Sequence, residues 1–401
     1  MPSDPPRSPP RPAIVAEAAD LPAPSEQERA LSERLGGVIR GEMARAGGAL
    51  PFARFMELAL YAPGLGYYSS GRQKFGAGGD FVTAPELGNL FARCLARNIA
   101  PVLQELPEGD VLEAGAGSGV LAAELLLELE QLGRLPRRYF ILEVSAELRA
   151  RQRARFGQRA SHLAARVQWL DDLPQTFCGV VLGNELLDAM PVQRFQIKNG
   201  AAREWQVAWE QDRFVWRDAP PSPELTRVAA QRLASLALPE GYNSEVNLAA
   251  EGWVRTVAER LAAGVLLLVD YGFPRHEFYH AQRALGTLMC HYRQRAHGDP
   301  LILVGLQDIT AHIDFTAIAE AAHAAGLDIL GYTSQGQFLL ASGITAFANS
   351  SDPKARLTLA QEIKKLTLPH EMGELIKVIA AGRGLDCALP GFTLNDRRGR
   401  L

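Results

Sequence analysis

The chain has 401 residues, of which 47% are hydrophobic and 22% are charged, and its formal net charge is −3 at pH 7. This composition is typical of a globular protein with a large core, and the charge does not favour nucleic acid or an anionic membrane as a partner. No apolar run is long enough to span a membrane, the scattered cysteines predict reduced thiols, and the histidines lack metal-binding spacing, so we predict neither membrane insertion nor a metal site.

Residues 1–26 are predicted to form a disordered leader. The segment is rich in proline and lacks the apolar region of a signal peptide. It also contains acidic residues, which a mitochondrial transit peptide would avoid: Asp4, Glu17, Asp20 and Glu26. We therefore expect a cytoplasmic protein.

Residues 27–105 are predicted to form an N-terminal region of helices with one long loop. Apolar residues recur at four-residue spacing between Leu31 and Met43, as expected for one face of a helix. The loop, residues 61–86, is rich in glycine and aromatic residues. Loops of this length tend to be functional or disordered, and the aromatic residues argue against disorder. Helices are predicted over residues 27–48, 52–60 and 87–103.

Between residues 106 and 345, apolar strands alternate with helical segments. This pattern predicts a parallel sheet covered by helices on both faces. Two insertions interrupt it, at about 196–247 and 273–314, and the first has a period-two pattern that predicts a hairpin turning at residues 210–212. We expect the two insertions to form a substrate-facing subdomain.

The end of the chain is predicted to close the sheet and then continue as a helical tail. Residues 327–333 and 336–343 are both apolar and separated by a short turn, which favours two closing strands. The tail, residues 346–401, is expected to pack on the core, with helices over 357–366 and 372–381.

The sharpest motif is VLEAGAGSG, residues 111–119, in which a strand ends in a glycine turn that opens a helix. Glycines let the backbone approach a bound nucleotide, and the helix start offers free N–H groups. An NAD site would have glycine at Val120. Glu113 would repel a pyrophosphate but suits a cationic group, such as the amine of S-adenosylmethionine. The alternative is an ordinary strand-to-helix turn. The predicted cofactor-binding glycines are Gly115, Gly117 and Gly119.

Acidic residues follow the next two predicted strands. Glu143, with Val144 beside it, lies 28 residues after Gly115. Doubly wound folds place at this position an acid that accepts hydrogen bonds from ribose hydroxyls. Asp171 and Asp172 follow the third strand and are predicted to meet the adenine amine. The alternatives are a solvated strand end for Glu143 and a surface turn for the aspartates.

Five separated motifs resemble the MidA family, which includes the mitochondrial complex I assembly-factor methyltransferases and their bacterial relatives. The resemblance runs from about residue 35 to the end, and with the glycine motif it identifies a class I S-adenosylmethionine-dependent methyltransferase. The motifs are LPFARFMELALYAPGLGYY, GDFVTAPELGNLF, GNELLDAMPVQRF, LLVDYG and MGELIKVIAAGRG.

The resemblance implies a Rossmann-like, seven-stranded α/β sheet with a helical N-terminal extension and an inserted substrate-facing subdomain. It also implies methyl transfer from S-adenosylmethionine, with S-adenosylhomocysteine as product, to an arginine guanidinium of a protein, either a complex I subunit or a bacterial equivalent. Because no convincing transit peptide is present, we expect a bacterial, cytoplasmic member that is a monomer or dimer. The alternatives are a small-molecule methyltransferase and a cofactor-binding assembly factor with little activity.

The segment NELLDAMP follows the apolar strand VVLG and contains the predicted catalytic residues. Glu185 and Asp188 are candidates to clamp a guanidinium through paired hydrogen bonds and to take up its proton, while Asn184 orients cofactor or substrate. Ligands of such sheets bind at this carboxyl edge. The alternative is a helix N-terminus, with Asn184 as its cap and the acids favoured by the helix dipole.

Two further elements are predicted to line the site. The loop over residues 78–86 is expected to fold over the cofactor, with Phe81 excluding water. Tyr271, after the fifth strand, is expected to line the acceptor pocket, and Asp270 to support it. The alternatives are a structural loop and simple packing. The loop residues predicted to contact the cofactor are Gly79, Asp80, Phe81, Thr83 and Pro85.

Overall fold

The computed structural model describes residues 21–70, 83–349 and 351–401. The strands are β1 (Ala49–Pro51), β2 (Asp110–Ala114), β3 (Tyr139–Leu142), β4 (Val167–Leu170), β5 (Phe177–Asn184), β6 (Gln193–Lys198), β7 (Ala201–Glu210), β8 (Arg213–Ala219), β9 (Asn243–Val246), β10 (Leu261–Phe273), β11 (Met289–Tyr292), β12 (Arg295–His297), β13 (Asp308–Thr310), β14 (Ile313–Asp314), β15 (Asp328–Ser334) and β16 (Ile376–Arg383). The α-helices are α1 (Glu26–Arg45), α2 (Phe52–Tyr61), α3 (Ala84–Leu87), α4 (Leu90–Glu105), α5 (Val120–Gln131), α6 (Ala146–Arg159), α7 (Pro223–Val228), α8 (Leu248–Arg260), α9 (Arg275–Phe278), α10 (Phe315–Ala324), α11 (Gln335–Ala341) and α12 (Pro353–Thr367).

The central sheet confirms the predicted fold class. Its strand order is β15-β16-β10-β5-β2-β3-β4, and the two-residue β14 pairs with β10 beside this seven-stranded path. The strands from β10 to β4 are parallel, while β16 runs antiparallel to both β10 and β15. The carboxyl ends of five parallel strands therefore meet at one edge of the sheet.

Helices cover both faces of the central sheet. Consecutive residues of a strand point to opposite faces, and here both sets are apolar. Val180 and Leu182 of β5 belong to the core shared with α4 and α5. Val181 faces the opposite core, which is shared with α8 and α10. Strands buried on both faces have near-continuous apolar sequences, as expected for a parallel sheet.

Two smaller sheets come from the insertions and the N-terminal region. A five-stranded sheet has the order β1-β7-β6-β9, with β8 paired to β7, and a three-stranded sheet has the order β12-β11-β13. The predicted hairpin is confirmed by the pairing of β7 with β8 across Glu210 and Arg213. Helices α1 and α2 contribute Leu35, Ile39 and Phe55 to the apolar cluster that packs against the five-stranded sheet.

Two predictions for the end of the chain are wrong. Residues 336–343 were expected to form a strand, but helix α11 occupies this position. Residues 372–381 were expected to form a helix, but β16 lies here, between β10 and β15, and the tail thereby completes the sheet. Both segments are short and buried on more than one side, so the spacing of their apolar residues does not distinguish helix from strand. The other helix predicted in the tail is confirmed by α12.

Most of the predicted leader lies outside the described residues. Within the described part, α1 begins at Glu26, where Ser25 and Glu28 form a reciprocal capping box. Among the helices that the structure describes, none combines the length and apolarity that crossing a membrane requires.

Candidate active site

A cleft of about 1740 Å³ opens at the carboxyl edge of the parallel strands. Its walls come from the ends of β2, β3, β5 and β10, from the N-terminal region, from the second insertion and from the C-terminal tail. No described residue of the first insertion, 196–247, is part of the cleft wall, so the expectation that both insertions face the substrate is not met by this cleft. Of the predicted site residues, the cleft lining includes Glu113, Gly115, Gly117, Glu143, Val144, Asn184, Glu185, Asp188, Tyr271, Thr83 and Pro85.

The glycine turn between β2 and α5 adopts backbone conformations that favour glycine. Gly115, Gly117 and Gly119 have φ values of +69°, +52° and +79°. A Cβ atom on Gly115 would lie 2.9 Å from Leu186 Cδ1, so a side chain there would have to displace the leucine as well as adopt a strained φ. The predicted strand–turn–helix is confirmed, and it leaves room for a ligand beside the start of α5.

Glu113 places a buried carboxylate under this turn. Its side chain is 2% exposed, and Tyr139 Oη donates to Oε2 at 2.6 Å. Burial, reinforced by the charge of Glu143, raises the pKa of Glu113 to about 7 despite the tyrosine hydrogen bond. No Lys or Arg of residues 21–70, 83–349 and 351–401 pairs with it, so the carboxylate is available to a cationic ligand group.

Glu143 follows β3 directly and faces the same cleft. It accepts hydrogen bonds from the Ser145 amide at 2.9 Å and from Gln152 Nε2 at 3.3 Å. Gln152 also lies 3.0 Å from the Gly117 carbonyl oxygen, so it joins the acidic strand end to the glycine turn. Sequence reasoning missed Gln152, because this polar residue lies within an arginine-rich helix. Val144 is 78% exposed and forms an apolar surface beside Glu143.

Of the remaining predicted cofactor residues, some line the cleft and others do not. Asp171 and Asp172 are exposed, and neither lines the cleft; Asp171 pairs with Arg149 at 2.7 Å. Thr83 and Pro85 do line it, and Glu86 of α3 accepts a hydrogen bond from Ser118 in the glycine turn. Helix α3 therefore contacts the cofactor side of the cleft. Gly79, Asp80 and Phe81 lie outside the described residues.

Residues 184–191, here named the acidic turn, leave the sheet without starting a helix. The alternative that Asn184 caps a helix is therefore wrong. Glu185 has a φ of +47°, and its amide donates to the Val269 carbonyl at 2.8 Å. Asn184 Nδ2 donates to Glu185 at 3.3 Å, while Asn184 Oδ1 is buried and accepts no hydrogen bond from the described residues. An unused acceptor at the cleft wall is suited to a ligand donor.

Asp270 holds the acidic turn in place. Its Oδ2 accepts hydrogen bonds from the amides of Leu186, Leu187 and Asp188, at 3.1, 2.8 and 3.3 Å. Its other oxygen accepts from the Tyr271 amide at 2.8 Å. The side chain is 1% exposed, and burial raises its pKa above the ordinary value. Asp270 is absent from the cleft lining and acts as a positioning residue, whereas Tyr271 lines the cleft.

Three acids, here named the carboxylate pocket, meet where the acidic turn faces the N-terminal region: Glu185, Asp188 and Asp308. Burial, followed by the charge of Asp270, raises the pKa of Glu185 to about 8 and that of Asp188 well above its ordinary value. Neither Glu185 nor Asp188 forms an ion pair with a Lys or Arg among the described residues.

Asp308 and two tyrosines were missed by sequence reasoning. Tyr68 Oη donates to Asp308 at 2.9 Å, and Tyr61 Oη donates to the Ala189 carbonyl at 2.9 Å. The two phenol rings stack with their centroids 5.4 Å apart and form a wall of the pocket. The signal for Asp308 is a lone acid in the apolar run ILVGLQDITAHI, but its partner Tyr68 lies 240 residues away.

Residues 94–333 match the model of a family described as "Putative S-adenosyl-L-methionine-dependent methyltransferase". The chain belongs to this family. It is also similar to a "likely methyl transferase" from Burkholderia thailandensis whose crystal structure contains S-adenosyl-homocysteine. The two share 50% identity and superpose with a TM-score of 0.91, over 95% of this chain and 100% of that one.

More distant relatives carry more specific names. The chain is 29% identical over 371 residues to the mitochondrial protein arginine methyltransferase NDUFAF7 of Danio rerio, covering 82% of each chain. It is 27% identical over 408 residues to the Drosophila melanogaster homologue, covering 90% of this chain and 89% of the relative. The predicted MidA-type resemblance and the S-adenosylmethionine cofactor are confirmed by these findings.

The methyltransferase cleft fits S-adenosylmethionine on its own geometry. The positive φ values of the glycine turn let a ligand approach the backbone closely. Glu113 lines the cleft without an ion-pair partner among the described residues, and we propose that it binds the cationic amine of the amino-acid end. We propose that Glu143 accepts the ribose hydroxyls, that Val144 packs on the adenine, and that Thr83 and Pro85 close the cleft from the N-terminal side. Asp171 and Asp172 are left out of this assignment because they lie outside the cleft lining.

Binding of S-adenosylhomocysteine is expected to strengthen as pH rises from about 5.5 to about 7.5, because the ligand ammonium requires ionised Glu113 and itself stays protonated over this range. Calorimetric titration of wild type and Glu113→Gln measures this. The variant should bind about ten- to a hundredfold more weakly at the upper pH. Its pH profile should also be flatter, because the variant lacks the Glu113 carboxyl that titrates in this range. Tyr139 and Glu143 are the other titratable groups that act on this site, and they remain in the variant. An equal rise in affinity in the variant would contradict the role of Glu113.

Proposed function

We propose that this methyltransferase modifies the guanidinium group of an arginine in a protein. The observation that carries the proposal is the carboxylate pocket. Glu185 and Asp188 both line the cleft, the charge of Glu185 acts on Asp188, and neither pairs with a cation among the described residues. A guanidinium is planar, permanently charged and able to bind two carboxylates through paired hydrogen bonds. The arginine methyltransferase relatives support the proposal by their names.

The pocket residues would act on the acceptor by position and by proton transfer. Glu185 and Asp188 bind the guanidinium and fix one nitrogen toward the cofactor, while the stacked rings of Tyr61 and Tyr68 limit its movement. Bound S-adenosylmethionine supplies an electrophilic methyl group whose carbon–sulfur bond breaks as the new nitrogen–carbon bond forms. Glu185 then accepts the proton that the methylated nitrogen loses. Orientation and exclusion of water account for much of the rate in such displacements.

Asn184 and Asp308 complete the proposed acceptor site. Asn184 lines the cleft, and its buried Oδ1, which has no donor among the described residues, would accept a hydrogen bond from the cofactor or the acceptor. Asp308 already accepts from Tyr68 Oη and from the Ile309 amide, so its charge contributes to cation binding while its position is fixed. The expected acceptor is a long flexible side chain, because the carboxylates that would bind it are buried.

The proposal is tested by incubating the purified protein with methyl-labelled S-adenosylmethionine and an extract of its own organism. We expect label in a discrete protein band and, after acid hydrolysis, methylated arginine. The same extract with Glu185→Gln serves as the matched control. Label confined to small molecules would replace the proposal with a small-molecule methyltransferase. Cofactor binding without any transfer would instead indicate an assembly factor with little activity.

A further inference from the structure

A second charged region, around Phe273, lines the same cleft. Phe273, at the end of β10, has two cations over its ring: Arg283 Cζ lies 4.1 Å and Lys377 Nζ 5.4 Å from the ring centroid. All three residues line the cleft. Arg283 and Lys377 are here named the cationic pair.

The carboxylates nearest the cationic pair are shared with other cations. The nearby carboxylates are Glu277 and Glu374, and each is engaged by an arginine of the C-terminal tail: Arg400 bonds Glu277, and Arg397 bonds Glu374 at 2.6 Å. Lys377 Nζ lies 3.7 Å from the Glu374 carboxylate and donates to its backbone carbonyl. Arg283 donates to the carbonyls of Glu277 and Phe278. Four cations, the cationic pair with Arg397 and Arg400, thus outnumber the three carboxylates of this part of the cleft, Glu277, Glu374 and the cleft-lining Glu371.

The buried positions of these cations make an added anion favourable. Lys377 is 4% exposed, and burial lowers its pKa to about 8, although Glu374 acts in the opposite direction. Burial also lowers the pKa of Arg283. His312, whose ring lies 5.4 Å from Phe273, has a buried Nδ1 with no hydrogen-bond partner among the described residues. Desolvated cations interact strongly with an anion that enters their low-dielectric surroundings.

An aromatic row connects the cationic pair to the carboxylate pocket. Tyr271 lies beside the pocket, where the charges of Glu185 and Asp188 act on its phenol. Its ring is nearly parallel to that of His312, with centroids 6.1 Å apart, and the His312 ring in turn packs against Phe273. Tyr271 and Phe273 are two residues apart on one strand, which is about 7 Å. The same distance separates side chains two residues apart in an extended peptide.

We propose that the cationic pair is a subsite for a carboxylate of the methyl acceptor, located two residues from the target arginine. This inference rests on the proposed function, and it makes the substrate class an arginine with acidic residues near it. The cleft binds such a segment at both ends, with the guanidinium in the carboxylate pocket and the acid at Arg283 and Lys377. The aromatic row packs against the chain between them.

The test uses two capped seven-residue peptides with a central arginine. One has glutamate two positions before and two positions after the arginine, and the other has glutamine at both positions. Calorimetric titration of the protein saturated with S-adenosylhomocysteine should show about tenfold tighter binding of the glutamate peptide. A third peptide, with glutamine and a free terminal carboxylate two residues after arginine, distinguishes a chain end from an acidic side chain as the bound group.

Variants assign the preference to the cationic pair. Lys377→Gln and Arg283→Gln should each remove the preference for glutamate, whereas Lys377→Arg and Arg283→Lys should retain it. Lys354→Gln, which removes a charge from the exposed surface of α12, should leave it unchanged. Circular dichroism and cofactor affinity verify that each variant is folded.

The outcomes separate this inference from the proposed function. Equal binding of the glutamate and glutamine peptides, or no binding of either, would overturn the carboxylate subsite. If arginine peptides are methylated without any acidic preference, the proposed function stands and the subsite fails. Preferential binding of the glutamate peptide with methylation of some other group would show that the cationic pair binds a carboxylate, but it would refute arginine as the acceptor and with it the placement of the acid two residues from that arginine.

Discussion

Glu185→Gln is expected to lower the rate of methyl transfer by about a thousandfold, in the range reported for loss of a positioned general base. The substitution keeps the size of the side chain and its hydrogen bond to Asn184 but removes the charge that binds the guanidinium and receives its proton. Single-turnover measurements with labelled cofactor give the rate, and calorimetry should show an unchanged affinity for S-adenosylhomocysteine.

Asp188→Asn should weaken acceptor binding more than cofactor binding.

The pH dependence of the same reaction provides a second readout. In the free protein, burial and Asp270 raise the pKa of Glu185 to about 8, so the carboxyl is protonated below that pH. The value of kcat/KM should therefore rise with pH up to about 8, since it reports the ionisation of the free enzyme. Glu185→Gln should lose this ascending limb. Glu259→Gln, on the exposed side of α8, is the matched control and should retain both rate and profile. Full activity of Glu185→Gln would refute the clamp.

The parts of the fold that sequence predicted correctly are those with strong local signals. The glycine motif specifies a strand, a turn with positive φ and a helix within a few residues, and β10 contains one of the longest apolar runs in the chain. The hairpin of β7 and β8 follows from strict alternation around a polar turn. These features need no knowledge of distant residues, since the local pattern has only one stable arrangement.

The errors arise where the decision depends on contacts far along the chain. Residues 376–383 become a strand because β10 and β15 offer edges on both sides, and nothing within those eight residues indicates this. The helix-cap alternative for Asn184 fails because Asp270, more than 80 residues away, binds the amides that would otherwise begin a helix. The sequence predicts only part of the carboxylate pocket for the same reason. Glu185 and Asp188 lie within one motif and are predicted, whereas Asp308 and Tyr68, which the fold brings together, are missed.

Asp270→Ala is expected to destabilise the protein by about 3 kcal/mol or more, because it leaves buried amide donors of the acidic turn without an acceptor. Asp270→Asn keeps one acceptor oxygen and should have an intermediate effect. Urea unfolding of the cofactor-free protein measures the free energy of unfolding, with Asp328→Ala at an exposed position as the control. The stability loss should be accompanied by a raised KM for the methyl acceptor, since Glu185 adopts its φ of +47° in a turn that Asp270 fixes. If Asp270→Ala kept wild-type stability and acceptor KM, the turn would be held by other contacts and the positioning role assigned to Asp270 would be wrong.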